Sequence, residues 1–404
     1  MEVGEAFGLL MTPAGRDDPY PTYRVLHEYP PLVELTGLFA VATGYAVIDE
    51  ILRDPRMRVS DAELVARLAP NWEPGPAAAS MFLSMLQTNP PEHARMRRLA
   101  AGAFTARRVS GLRDTITRQA SDLAEYLAAL AGPVDFMAEY AYPLPVRVIC
   151  ALLGLPIADH QWIRERAEAV TVVLEPMLEL STLEPADVAA RELEVYFTDQ
   201  IERRRREPGD DLTSALVAVH DAPGSTLTRE ELLANLVLLL IAGFETTTNL
   251  LGNGLVVLLN HPDAAARLRE DPSLADRYVE ELLRFDSPVQ LTSRWSREPV
   301  EFAGTRLEPY SEVMLVLGAG NRDGRHFAEP DRFDPGREPN QPLSFGAGAH
   351  YCLGAALARL EAQVAFPILL RRFPDLALAG DPVRRDRLTL RGYASLPVSV
   401  TGTS

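Results

Sequence analysis

The chain has no lysine: all 40 of its basic residues are arginine, set against 56 acidic ones, for a net charge of −16. That balance argues against nucleic acid as a partner, since phosphate binding needs a basic surface, although it leaves room for a local basic patch. Arginine without lysine, in a chain rich in Ala, Gly and Pro, reads as the bias of a high-GC bacterial genome. Only two cysteines occur in 404 residues, Cys150 and Cys352. They are too few for a disulfide framework, so a reducing, cytoplasmic compartment is expected. The opening MEVGEAFGLLMTPAG has early glutamates and no basic segment, unlike a secretory leader. The longest apolar run, Leu236 to Phe244, is too short to span a bilayer. No Gly/Ser or charge-block linker and no internal repeat breaks the chain. Hydrophobic residues at 47% and charged residues at 24% are ordinary globular values, and a chain of this length can bury one large core. The expectation is one monomeric domain over residues 1–404, with no nucleic-acid and no membrane partner.

What is present is mostly helical patterning. PLVELTGLFAVATGYAVIDEILRDPRM reads as two short strands around Thr36-Gly37 and a helix from Tyr45 to Pro55. Residues 61–90 are rich in Pro, Ala and Met with weak periodicity, and are expected to form a long irregular connection. Prolines at PPEHARMRRLAAGAF suit a helix start. Helical patterns follow at 107–131, 135–153, 158–178, 184–206 and 210–219. A long one opens at the capping-box pair Thr228 and Glu231 and continues to Asn260. Others cover 262–270, 274–285 and 353–371, with short β signals at 291–316 and 376–401. The fold class is mainly α with minor β.

LSFGAGAHYCLGAALARLE places Cys352 behind glycines and directly ahead of an alanine-rich helix. A plain reading is a small buried hydrophobe at a turn. The alternative is a thiolate ligand, a charge that needs stabilising. Gly346, Gly348 and Gly354 allow backbone N–H groups close to the sulfur, and the helix after it presents its positive end. Zinc is a poor match, since Cys352 with His350 lacks a second ligand pair, whereas iron in a porphyrin is held by a single protein ligand. The pattern Phe345-x-x-Gly348-x-x-x-Cys352-x-Gly354 resembles the haem-binding signature of the cytochrome P450 family.

Three more segments agree with that resemblance, in the family's order. In LLLIAGFETTTNLL, Ala242, Gly243, Glu245 and Thr246 resemble the family's A-G-x-[D/E]-T helix. Leu238, Ala242 and Thr246 are spaced i, i+4, i+8 and share a face. Gly243 removes a side chain where a flat cofactor or O2 could lie, and a mid-helix Thr can bond back to the i−4 carbonyl and bend the helix. A buried helix with a tolerated glycine is the plainer account of the same residues. In VEELLRFDSPVQ, Glu281 and Arg284 are helix neighbours; the resemblance makes them a buried pair joined by a downstream arginine, best matched by Arg332, as a structural anchor for the cysteine loop. In NPPEHARMRR, His93 and Arg97 lie i, i+4 and can reach one anion. The resemblance assigns them, with Arg294 and His350, to the haem propionates. Asn89 and Gly324 depart from the family's pattern without touching these roles.

The resemblance implies the P450 fold, a single large helical domain with small β-sheets and haem b between the long helix and the cysteine-loop helix. It implies a monooxygenase that activates O2 at iron held by Cys352, with Phe345, Gly346 and Gly354 shaping the loop, Thr246 presenting a hydroxyl and Glu245 loading protons. The chain carries no flavin or nicotinamide fingerprint, so electrons are expected from NAD(P)H through ferredoxin reductase and ferredoxin, docking near Arg97, Arg98, Arg107 and Arg108. Expected substrate contacts are Leu83, Met85, Leu238, Phe244, Leu291, Thr292 and Tyr393, beside the helices at 160–206. They are mainly apolar and suit a bulky lipophilic compound such as a polyketide, macrolide or peptide intermediate. Oxidative coupling or peroxide-driven oxidation is the alternative enzyme reading, and a haem carrier or gas sensor the non-enzyme one; the Glu245–Thr246 pair argues against both.

Overall fold

The computed structural model describes residues 2–130, 132–175 and 183–400. It is mainly helical with short sheets and resolves into two compact units, one from residues 1–58, 116–144 and 246–404, the other from 59–115 and 145–245. Neither unit is a contiguous stretch, so no linker composition marks a boundary in the sequence.

The first unit is organised on a four-stranded sheet in the order Leu32–Thr36, Phe39–Ala42, Glu312–Leu315, Thr292–Trp295. Phe39–Ala42 pairs in parallel with Glu312–Leu315, and the other pairings are antiparallel. Apart from Glu312 at the start of its strand, the central strands are apolar because both faces are covered. Ala40, Ala42, Val313 and Leu315 face a core with Ile48, Ile51 and Leu343. Val41 and Met314, one residue out of phase, face a second core with Ala6, Leu10, Tyr23 and Leu26. The second core is built on the helices Val3–Leu10 and Tyr20–Leu26, which pattern reading of the first 30 residues does not find. At 8 and 7 residues they are about two turns each, too short for a 3.6-residue period to stand out in the sequence. The strand pairs Val300–Phe302 with Thr305–Leu307, Val383–Arg384 with Tyr393–Ser395, and Pro397–Ser399 between Val134–Asp135 and Ala377–Leu378 supply the expected minor β.

The second unit is helical. Residues 61–90, expected to be irregular, contain two short helices, Ala62–Leu68 and Pro76–Leu83. Asp61 caps the first through the Leu64 amide at 3.1 Å, and the second opens on Gly75-Pro76. The second has almost no polar face, so it offers no periodicity to read. Of the expected 158–178 and 184–206 helices, His160–Val170 and Leu183–Arg206 are seen; residues 176–182 lie outside the described residues. The long helix runs Arg229–Leu259 without interruption. Its capping box forms, with the Glu231 amide donating to Thr228 Oγ1 at 3.1 Å and the Thr228 amide to Glu231 Oε2 at 2.9 Å. By length and composition this helix could cross a membrane, but 72% of its most apolar window is buried in protein, as in the core helix of a folded domain.

Candidate haem site

Between Leu232 and Leu255 every residue of the long helix is buried except Leu239, Ala242, Gly243 and Thr246. That spacing, i, i+3, i+4, i+7, is one face of an α-helix. This stripe is the part of the buried helix that protein covers least. Three of its members are apolar and the fourth brings a hydroxyl. The sequence reading placed Leu238 on this face, but Leu238 is buried and Leu239 takes its place. Phe244 is fully buried, pointing away from the stripe and not lining it. Gly243 has a different reason than the one expected: a Cβ there would meet Ile149 Cδ1 at 2.6 Å, so the glycine admits the neighbouring helix Pro143–Leu153. Glu245 is 1% exposed, which removes the direct solvent contact expected of it.

The cysteine loop is shaped by two glycines in left-handed backbone, Gly346 at φ 65 and Gly348 at φ 67. At Gly348 a Cβ would also stand 2.3 Å from the Leu52 carbonyl oxygen, so only glycine fits. The Cys352 amide donates to the Phe345 carbonyl at 2.9 Å, closing the loop, and Gly354 sits at the N-cap of the helix Ala355–Arg372. Cys352, Phe345, Gly346, His350 and Gly354 are all half-buried, an accessible row on an otherwise anchored loop. Arg359, unnoticed in the sequence, holds its underside: its guanidinium lies 4.4 Å from the Phe345 ring centroid, pairs with Glu280 at 2.5 Å and donates to Tyr351 Oη at 3.1 Å. Burial opposes that charge, and Glu280 and Tyr351 more than offset it.

Glu281 and Arg284 form a fully buried ion pair, Arg284 Nε to Glu281 Oε2 at 2.7 Å and Nη2 to Oε1 at 2.8 Å. Arg284 also donates to the carbonyls of Asn321, Pro330 and Arg332. The Asn321 side chain in turn accepts from the Leu343 amide at 2.7 Å and donates to Ser344 Oγ at 3.0 Å. The pair therefore reaches the start of the cysteine loop through Asn321. Arg332 is not its third member. Its side chain is 61% exposed and pairs with Glu329, and only its carbonyl is used. The second arginine is Arg337, 9% exposed and 3.5 Å from Glu281 Oε2. The sequence offers both five residues apart, and only the backbone path decides which one turns inward.

Arg294 is buried, and its Nη1 donates to the Ser293 carbonyl at 2.6 Å and Thr292 Oγ1 at 3.2 Å. Burial lowers its pKa to about 10 with no carboxylate opposing the shift. A buried guanidinium with no paired acid among the described residues suits an anionic group from elsewhere, as a haem propionate would be. In the second unit, His93, Met96, Arg97 and Ala100 share the inward face of Glu92–Ala103, with His93 2% exposed. Within the first unit, a half-exposed thiol on an anchored loop and a buried arginine with no paired acid among the described residues fit the thiolate ligation and a carboxylate of an iron porphyrin; in the second unit, His93 and Arg97 share one helix face and offer donors of the kind a carboxylate takes. No cluster able to hold a free metal ion occurs among the described residues.

The expected substrate contacts fare less well. Leu291 belongs to the core under the N-terminal helices. Tyr393 is 3% exposed, with Arg384 3.7 Å from its ring centroid and Gly252 against its edge, so its ring is spent on packing. Met85 closes a small apolar cavity with Met96, Leu99, Leu216 and Asn235. Thr292 is half-buried, its hydroxyl engaged by Arg294, and Leu83 is exposed. Apolar character was legible; which apolar residues turn outward was not.

The cytochrome P450 family model matches residues 187–388. A vitamin D(3) 25-hydroxylase of Pseudonocardia autotrophica is 41% identical over 392 residues, 95% of this chain and 94% of its own. The chain belongs to the cytochrome P450 family. The 6-deoxyerythronolide B hydroxylase of Saccharopolyspora erythraea is 38% identical, covering 95% of this P450 and 96% of that protein. The solved structure of myxobacterial CYP267B1 in complex with myristic acid superposes with a TM-score of 0.89 at 37% identity, over 98% of this chain and all of that one. This P450 is a monooxygenase with the fold its motifs implied.

Proposed function

We propose that this P450 hydroxylates or epoxidises a bulky lipophilic small molecule, a polyketide, macrolide or peptide intermediate of secondary metabolism. The observation that carries the reading is the accessible stripe of Leu239, Ala242, Gly243 and Thr246, an apolar wall bearing one hydroxyl. Relatives named as hydroxylases of vitamin D(3) and of 6-deoxyerythronolide B support the substrate size and polarity. With haem bound, Cys352 would hold the iron through its thiolate, and Arg294, His350, His93 and Arg97 would take the propionates. Bound there, haem supplies reductive activation of O2, with one oxygen atom going to the substrate and the other leaving as water. Thr246 holds a proton at Oγ1 on the open face. Glu245 passes protons to it, and because its carboxyl is buried it must swing outward to exchange with solvent. Electrons come from NAD(P)H through ferredoxin reductase and a ferredoxin docked on the arginines around Arg98, Arg107 and Arg108, of which Arg108 is 3.3 Å from Asp210. The enzyme works as a cytoplasmic monomer.

Ferredoxin-supported NAD(P)H and O2 consumption, measured with and without a panel of macrolides and secosteroids, tests the reading. A substrate should raise both rates and yield an oxygenated product. Thr246→Ala should keep the haem and divert reducing equivalents to peroxide; undiminished coupled turnover refutes the relay. Cys352→Ser should abolish the thiolate-type spectrum of the reduced carbonyl complex, and its survival refutes the ligand assignment.

A further inference from the structure

The helix Pro76–Leu83 has no cap of its own: the N-cap residue is Gly75, which brings no side chain. The cap comes from another helix. Asp187, on Leu183–Arg206, accepts from the Ala77 amide at 2.9 Å, so a carboxylate stands at the positive end of the short helix. Its oxygens occupy the space beside Gly75, where a Cβ would lie 2.2 Å from Oδ2.

The other end of this segment is tied differently. The Met85 amide donates to Asn235 Oδ1 on the long helix at 3.0 Å, and Asn235 is itself fixed through the Glu231 carbonyl at 2.7 Å. Ser84 is fully buried and Asn235 is 5% exposed. At the Asp187 end the buried residues are Ala77 and Ala78, which contribute little apolar area, and Asp187 is half-buried. One end is anchored by the buried Asn235; the other packs small residues along Leu183–Arg206, and the Asp187 carboxylate is the polar tie that fixes its first turn. Leu83 and Leu86, on the strap between and beyond, leave 44% and 38% of their surface uncovered.

We propose that Asp187 is a positioning residue that sets access for bulky ligands, by capping Pro76–Leu83 across a tertiary contact and latching the strap 75–85 onto the helix Leu183–Arg206. This rests on the reading of residues 61–90 and 160–206 as the substrate-contacting segments. Gly75 is the latch's receptor, since any side chain there evicts the carboxylate.

The test uses the haem-loaded enzyme, with amide hydrogen exchange over 76–85 and stopped-flow binding of econazole, a bulky azole, and of imidazole, both followed by the haem Soret band. Asp187→Ala should raise exchange at 77–83 about fivefold, the size of one lost helix cap. It should also raise the association and dissociation rates of econazole together while leaving imidazole unchanged. Asp187→Asn keeps a capping oxygen and should restore both readouts. Gly75→Ala should reproduce Asp187→Ala and add nothing to it in the double variant. Unchanged exchange in Asp187→Ala, equal effects on the two azoles, or additive Gly75 and Asp187 effects each overturn the latch. Wild-type enzyme that binds neither azole would instead sink the functional reading, and hydrogen exchange would still decide the latch.

Discussion

Arg332 and Arg337 offer a test of which arginine completes the buried cluster. Arg337 donates to the carbonyls of Ala328 at 2.5 Å, Glu329 at 3.2 Å and Arg332 at 3.2 Å, and stands 3.5 Å from Glu281. Those carbonyls lie near the surface and regain water when the arginine is removed, so each bond is worth the low end of its range, about 0.5 kcal/mol. Glu281 does not rehydrate: it is fully buried and keeps only Arg284, the Asp334 amide and Asn340 Nδ2. Losing one of two nearby cations there costs about 1–2 kcal/mol after desolvation is set against Coulomb attraction. Arg337→Ala should therefore destabilise by about 3 kcal/mol, a large share of the roughly 5–15 kcal/mol of a folded domain. Arg332→Ala removes an exposed pair with Glu329 and leaves its carbonyl in place, for under about 0.5 kcal/mol. Arg337→Lys restores the charge but not the planar fork, and should recover less than half. Urea unfolding followed by far-UV CD and by the Soret band measures all three. An Arg332→Ala loss equal to or larger than that of Arg337→Ala would refute the assignment.

Glu361 is buried, both its carboxyl oxygens lack a hydrogen-bond partner among the described residues, and burial raises its pKa well above the ordinary value. Below the unfolded pKa of about 4.3 both states are protonated; above it only the unfolded state ionises readily, so stability should fall with rising pH, by up to about 1.4 kcal/mol per pH unit. Glu361→Gln should remove that slope, and parallel urea-midpoint curves from pH 5 to 8 would contradict it. Arg294→Met should stabilise the haem-free protein by about 1 kcal/mol, because it removes an uncompensated buried charge, while haem transfer to apomyoglobin speeds at least about tenfold, the worth of one charge-assisted bond. A slower transfer would count against the propionate role. Gly348→Ala, with its Cβ driven into the Leu52 carbonyl and left-handed backbone, should cost about 3 kcal/mol and weaken haem retention at unchanged helix content by CD; normal retention would argue that the loop relaxes freely.

Legible in the linear pattern were the candidate positions that local geometry controls. Cys352 and its glycines, the Glu281–Arg284 pair at one helical turn, and Thr246 on a face with Ala242 are set by spacings of 3.6 residues or by left-handed turns, which a linear pattern records. It took the folded chain to show which arginine turns in at Glu281, that Leu239 replaces Leu238 on the exposed stripe, that Gly243 makes room for Ile149, and that Leu291 and Tyr393 are packing residues. Those outcomes depend on which element arrives from far along the chain to cover a given face. The same apolar residue is core or ligand wall according to that arrival, and no local periodicity carries the information.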